Sequence, residues 1–310
     1  MNPTFSIIIP HKEILDLLMR CLKSIPVSED IQVIVVDDNS ADADTYLDKY
    51  PELSRPYLEF IRTTKGGGAG YARNVGLDHA KGKWLLFADA DDFFVEGMSD
   101  IIYSYKDSEA DVIYFRIKAV LSDDITVADN RDPHVNRIID QYLTDGDEWP
   151  LRAEMYGPVC KMIKRNLIVK YSIRIDEIMY GNDAYCSVLI GYHAKMIKVV
   201  DRVIYIVTRR PNSLIANWCT KPGELKQRAE VAFRIDKFKY QNGFCRDRWF
   251  VHFLLRMLRQ DRELFKYYFF KLDEIYPSKL AALQDISKSK PLRFKVKLYI
   301  YSLLLWARIL

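Results

Sequence analysis

The sequence predicts an α/β protein: a mostly parallel central sheet flanked by helices, with a helical C-terminal extension. Three observations carry that expectation. Short β-branched runs alternate with helical patterns over residues 5 to 94, the spacing of βαβ units. Carboxylates gather at the predicted ends of two of those strands. From about residue 221 the chain keeps helical periodicity with few Gly or Pro.

Taken in order, FSIIIP (5–10) is a continuous apolar run closed by Pro10, which reads as a buried strand. LDLLMRCLKSI (15–25) spaces its apolar residues as a helix does, and Pro26 is its stop. IQVIVVDDNS (31–40) is β-branched and closes on Asp37, Asp38 and turn formers. A helical stretch near 42–50 and a strand at 57–63 lead to the loop KGGGAG (65–70). A helix near 71–81 follows, with Gly82 at its C-cap, and then the strand KWLLFA (83–88). Farther on, 110–120 reads as a strand, 157–170 as a strand or turn entering a helix, 181–194 as a helix with a polar start, and 196–210 as a strand. No internal repeat or low-complexity tract interrupts this order.

Bulk properties narrow the class. A chain of 310 residues, 49% hydrophobic and 28% charged, is that of an ordinary globular protein of one or two domains. The five cysteines form no C-x-x-C, which favours reduced thiols in a cytosolic protein over a disulfide or zinc framework. MNPTFSIIIPHKE has no basic n-region and does not read as a signal peptide. No run reaches the roughly 18–20 apolar residues of a spanning helix. The net charge of +4 conceals an asymmetry: residues 221–310 hold 20 Lys and Arg against 9 Asp and Glu, leaving 26 against 33 elsewhere. A basic tail on an acidic body suits an anionic partner; a solvated helical face is the equal alternative.

In GKWLLFADADDFF (82–94) three carboxylates, Asp89, Asp91 and Asp92, fall within four residues and repel one another. Asp89 and Asp91, two apart in an extended segment, face one way, at the strand end where parallel sheets hold their ligands. Such a pair suits a hard divalent cation that takes further ligands from substrate phosphates, although surface turns also produce it. The glycines at 66, 67, 68 and 70 complete neither a Walker loop nor G-x-G-x-x-G, since Tyr71 occupies the last place. Arg73 and Asn74 follow just inside the next helix, where a cation lies near a helix N-terminus. Asp183, in the first turn of its helix, either stabilises the helix dipole or acts as a base.

Together, SIIIP, VIVVDDNSAD and GGGAGYARNVGLDHAKGKWLLFADADD resemble the family 2 glycosyltransferases, inverting enzymes of GT-A fold that use nucleotide-diphosphate sugars. The resemblance covers residues 5 to 94 closely. It continues more loosely through VCKMIKRNLI and YGNDAYCSVLIGYHAKMIKVVDRVIYIVTRRPNSL. It implies that Pro10, Asp38, Arg73, Asp89 and Arg210 serve the nucleotide, that Asp91 coordinates Mn²⁺ or Mg²⁺, and that Asp183 is the general base. It also implies three regions: a nucleotide-sugar-binding half (1–100), an acceptor-binding half (101–215) and a helical, basic C-terminal region (216–310). The chain departs from the family pattern at His11 to Glu13, at Asn182 in place of the usual Glu, and at Cys245 in CRDRW, where processive synthases carry Gln.

The expected activity is therefore a metal-assisted, inverting, non-processive transfer from a nucleotide-diphosphate donor, a UDP-sugar, to a glycan or lipid-linked acceptor in bacterial surface polysaccharide synthesis. Two other classes compete: a non-catalytic binding protein retaining the fold, and a sugar nucleotidyltransferase, whose G-G-x-G-T-R loop PHKEILD does not supply. A nucleic-acid partner is not expected, because the clustered carboxylates repel phosphate. The expected location is cytoplasmic. There the C-terminal run PLRFKVKLYIYSLLLWARIL either docks on the anionic inner face of the membrane through Arg293, Lys295 and Lys297, or packs Leu298, Tyr301, Leu305 and Ile309 on protein.

Overall fold

The computed structural model describes residues 3–41, 46–130, 133–210, 223–246, 248–279 and 281–282 of the chain. The chain divides into two compact units, Met1–Trp218 and Cys219–Leu310. The first holds an eight-stranded sheet of order β3-β2-β1-β4-β7-β6-β8-β5. The α/β, mostly parallel expectation holds.

β1 (Phe5–His11) is buried at all seven positions, because parallel partners flank it: β2 (Ile31–Asp37) on one side and β4 (Trp84–Phe87) on the other. A strand covered on both faces has no solvent face, so its sequence is continuously apolar rather than alternating. Ile7, Ile8 and Ile9 are each fully buried, contributing roughly 1.5–3 kcal/mol apiece. The strand runs through Pro10 to His11 instead of stopping there. Ile8 gives its carbonyl to the N–H of Ala88 on the β4 side, so the N–H that Pro10 lacks faces that side, beyond the last paired residue of β4.

β3 (Leu58–Arg62) is parallel to β2 and completes the first edge. The chain builds outward from β1 to β3 and then crosses back to place β4 on the other side of β1, making a switch point between β1 and β4. β7 (Lys161–Lys164) enters antiparallel between β4 and β6 (Val112–Leu121). β8 (Ile197–Arg209) runs parallel to β6, with an irregular register around Arg116, and pairs antiparallel with the two-residue β5 (Phe93–Phe94).

The helices cover both faces. α1 (Leu15–Lys23) buries Leu18, Met19, Cys21 and Leu22 and ends at Ser24, before Pro26. α2 (Tyr46–Lys49) is short, and residues 42–45 of the expected helical stretch lie outside the described residues. α3 (Gly68–His79) begins earlier than the sequence suggests, because Gly68 at φ +83° turns the chain into it. Its C-cap is Ala80, not Gly82. Gly82 instead donates its N–H to Ser6 Oγ at 2.8 Å, where a Cβ would stand 2.6 Å from the backbone of β1.

α4 (Met98–Tyr103), α5 (Pro133–Asp145) and α6 (Trp149–Ala153) were not anticipated. For α5 the signal was present: Pro at its first position, then Val135, Ile138, Ile139 and Tyr142 in helical spacing. α7 (Arg165–Lys170) and α8 (Ala184–His193) complete the unit. One apolar core runs beneath both the 1–100 and 101–215 stretches.

The second unit contains α9 (Glu224–Gln241), α10 (Val251–Gln260) and α11 (Arg262–Phe270), as a helical extension requires. Its core is aromatic, with Phe233 and Phe250 edge to face at 5.1 Å. Fully buried Asp236 accepts the N–H groups of Trp249 and Phe250 and so holds the turn that enters α10. No helix among the described residues is long and apolar enough to cross a membrane. Residues 293–309 of the tail lie outside the described residues.

Candidate active site

At the carboxyl ends of β1 and β2, His11 and Asp37 are buried side by side, Nδ1 to Oδ1 at 3.0 Å. Ser40 donates its hydroxyl to Asp37 Oδ1 and its N–H to Oδ2. The N–H of Ile14 points at His11 Nε2 at 3.3 Å, which leaves Nδ1 as the ring atom that donates to Asp37. Burial works against the charge of Asp37, but the bonds from His11 and Ser40 outweigh it and hold the carboxyl below its usual value. Asp38 turns the other way. Its two oxygens accept the N–H groups of Gly67 and Gly68 at 2.8 and 2.9 Å, and Lys12 Nζ stands 3.7 Å away. The glycine loop thus closes on Asp38 and starts α3 there, which satisfies orphan helix donors and suits the dipole.

β4 ends at Phe87, and the turn Asp89 to Asp92 leads into β5. Carboxylate oxygens of Asp89, Asp91 and Asp92 all lie within 4.8 Å of one another. Asp92 is held by the fold: Oδ1 accepts the N–H of Thr208 at 2.6 Å, and the Tyr205 hydroxyl bonds the same carboxyl. Burial and the charges of Asp89 and Asp91 push Asp92 well above the usual carboxylate range. Asp91 is raised by burial and by Asp89, against Arg210, whose Nε and Nη2 meet its Oδ2 at 2.9 and 2.7 Å. Behind it, the Asp91 carbonyl accepts from Arg20 (2.6 Å) and from the Thr208 hydroxyl (2.7 Å). An all-oxygen donor set under mutual repulsion fits a hard divalent cation, with Asp89 and Asp91 the residues able to hold it.

Arg73, on α3, ties this turn to the start of α8. Its Nη2 donates to Asp89 Oδ1 at 2.6 Å and its Nη1 to Asn182 Oδ1 at 3.1 Å. Burial disfavours the charge on Arg73, yet Asp89 and Asp183 outweigh it and keep the guanidinium firmly protonated. Asp183 is the N-cap residue of α8, but its side chain makes no capping hydrogen bond. Burial raises its carboxyl; Arg73 counters this and Asp89 adds to it. Lys161, buried in β7, also opposes the rise, while burial pushes its own ammonium down to about 8.

The fold therefore brings Arg73, Asp89, Asp91, Asp183 and Arg210 into one electrostatic cluster. Pro10 lies near the end of β1, and Asp38 directly follows β2. Sequence reasoning passed over Asn182, Tyr205, Thr208 and Arg20. Asn182 was visible as a departure from the family pattern, and here it supplies the neutral partner of Arg73. Arg20 was visible as a cation between the buried Met19 and Cys21.

The sequence profile of Glycosyl transferase family 2 matches residues 6–172, more than half of the chain. A poly(ribitol-phosphate) beta-glucosyltransferase of Bacillus spizizenii is 32% identical over 123 residues, 37% of this chain and 19% of that protein. Glycosyltransferase GlyG of Streptococcus pneumoniae is 22% identical over 229 residues, 69% of this chain and 74% of GlyG. The chain thus spans less than two thirds of the first relative and more than two thirds of the second. Among solved structures, Staphylococcus aureus TarS 1–349 in complex with UDP-GlcNAc has a TM-score of 0.59 at 20% identity, covering 94% of this chain and 82% of that one. That likeness gives the fold, a GT-A fold, and the profile gives the rest: the chain belongs to glycosyl transferase family 2.

Proposed function

We propose that the protein transfers one sugar per encounter from a UDP-sugar to a hydroxyl of a glycan or lipid-linked acceptor, inverting the anomeric carbon, in bacterial surface polysaccharide synthesis. One observation carries the reading: buried Arg73 joins Asp89, on the cation-suited turn, to the helix start that bears Asp183. Donor side and base side are thereby linked through a single side chain.

In this reading Asp89 and Asp91 would hold Mn²⁺ or Mg²⁺, which would offset negative charge developing on the leaving group. Arg210 adds a guanidinium beside Asp91 for the same charge. Asp38 and Pro10, at the ends of β2 and β1, border the base and ribose. Asp183 takes the proton of the acceptor hydroxyl as its oxygen bonds the anomeric carbon and the electron pair of the breaking bond leaves on UDP. A carboxyl raised by burial is a stronger base once ionised, which suits the task. A single base and a single displacement give inversion. Residues 1–100 serve the donor and 101–215 the acceptor. The basic C-terminal region, with 20 Lys and Arg against 9 Asp and Glu over 221–310, brings the enzyme to an anionic membrane face on the cytoplasmic side.

UDP-GlcNAc bound to TarS and the relatives acting on poly(ribitol-phosphate) support the donor class and the polymer setting. Calorimetric titration of UDP and of GDP, each with Mn²⁺ and with EDTA, tests the site on the parent and on Asp91→Ala. Mn²⁺-dependent UDP binding that Asp91→Ala loses is the expected result. Binding of neither nucleotide overturns the reading.

A further inference from the structure

Gly70, Arg73 and Asn74 lie three and four residues apart on α3 and so share a face. All three meet the segment that leads to Asp183. The amide of Asn74 is buried, and its Oδ1 accepts the N–H of Ile175 at 3.0 Å. Its Nδ2 donates to the Ile175 carbonyl at 2.9 Å and to Glu177 Oε1 at 3.1 Å. One side chain thus satisfies both backbone groups of Ile175, as a neighbouring strand would. Next to it, a Cβ on Gly70 would stand 2.0 Å from the Asp176 carbonyl, so only glycine admits this approach. The loop then closes on itself, with the N–H of Asp176 bonded to the Asn182 carbonyl at 3.0 Å. Arg73 holds the Asn182 side chain from the same face. Asp183 is the next residue, and with no capping bond on its carboxylate its position follows from this loop.

We infer that Asn74 is a positioning residue for Asp183: it moors the 175–182 loop to α3 and thereby sets where the carboxylate stands over the acceptor. The inference rests on Asp183 being the general base. Asn74 touches no reacting atom. Its effect is geometric, and a displacement of about 1 Å at a base costs on the order of 10²-fold in rate.

Asn74→Ala removes the mooring, whereas Gly70→Ala pushes the loop away without deleting a hydrogen bond. Amide hydrogen exchange over 174–184 reads the mooring without any substrate. UDP titration with Mn²⁺ reads the donor site. UDP release from UDP-glucose, UDP-galactose and their N-acetyl forms, with water as acceptor, reads turnover. For both variants the expected result is faster exchange confined to 174–184, unchanged UDP affinity, and turnover down roughly 10²-fold. Unchanged exchange, or turnover equal to the parent's, overturns the inference, as does UDP affinity falling in step with turnover. If Asn74→Ala does not fold, Gly70→Ala alone decides by the same three readings. A parent whose UDP release is untouched by Asp183→Asn defeats the base assignment instead, and the exchange data still report on the mooring.

Discussion

Arg210 grips Asp91 by a single oxygen. Nε and Nη2 both converge on Oδ2, at 2.9 and 2.7 Å, while the Asp91 backbone is held from behind by Arg20 and Thr208. The carboxylate is therefore fixed in direction, with its other oxygen not taken up by Arg210. A lysine has one nitrogen where this geometry uses two. Arg210→Lys and Arg210→Gln are both expected to lower kcat for sugar transfer by roughly 10²–10³-fold, the range for losing one preorganised donor. Steady-state kinetics with the accepted UDP-sugar checks it; full activity in Arg210→Lys would refute the two-nitrogen role.

Asp183→Asn keeps the shape and hydrogen-bonding size of the N-cap residue but cannot take a proton. UDP should bind in Mn²⁺ as tightly as in the parent, because the helix start and Arg73 keep their packing. Transfer should fall by about 10²–10⁴-fold, the usual contribution of a positioned base. Equal transfer rates in parent and variant would move the base elsewhere.

Asp37 gives a pH test of the β1–β2 junction. Its carboxyl lies below the ordinary value in the folded chain, so the folded state binds its proton less readily than the unfolded one. The stabilisation is fully present above the unfolded value near 3.8 and is lost as pH falls through the lower folded value. Asp37→Asn should unfold at lower urea concentration than the parent at pH 7, and the gap should close in acid below pH 4. A gap that persists unchanged at pH 2 would contradict the assignment.

Lys161 gives the opposite case. Burial lowers its ammonium from 10.5 to about 8, with Nζ bonded to the Met155 carbonyl at 2.5 Å and lying 5.7 Å from the Tyr114 ring centre. Below pH 8 both folded and unfolded chains carry the proton, and the folded chain bears the full cost of burying the charge. Between pH 8 and 10.5 the unfolded chain holds more protons, so stability rises with pH. Relative to Lys161→Met, the parent should gain roughly 3 kcal/mol across that window, since one unit is about 1.4 kcal/mol. Paired urea denaturation curves at pH 7, 9 and 10.5 read the difference, and a flat difference would rule it out.

Much of the fold could be read directly because apolar periodicity is a local property. Runs such as Ile7 to Ile9 or Val33 to Val36 announce buried strands from a few residues each, and the helical spacing of α1 is as plain. The carboxylates of Asp89 to Asp92 were legible for a related reason: charge at the end of an apolar strand is a local contradiction. Harder to read were the short elements α4 and β5, which have little periodicity to show.

What the order of residues determined by itself is the sequence of strands and helices, the α/β class and the set of acidic and basic groups at strand ends. Partnership was decided only by tertiary structure. Asp38 faces the N–H groups of Gly67 and Gly68, and Arg73 reaches Asn182 across 109 positions. Asp92 is tied to Thr208 across 116. Such pairs depend on strand order, on register and on the antiparallel insertion of β7, each set by packing the whole core at once. A local pattern carries the period of an element but not its neighbour, so the cluster around Arg73 existed as chemistry in the sequence and as a site only after folding.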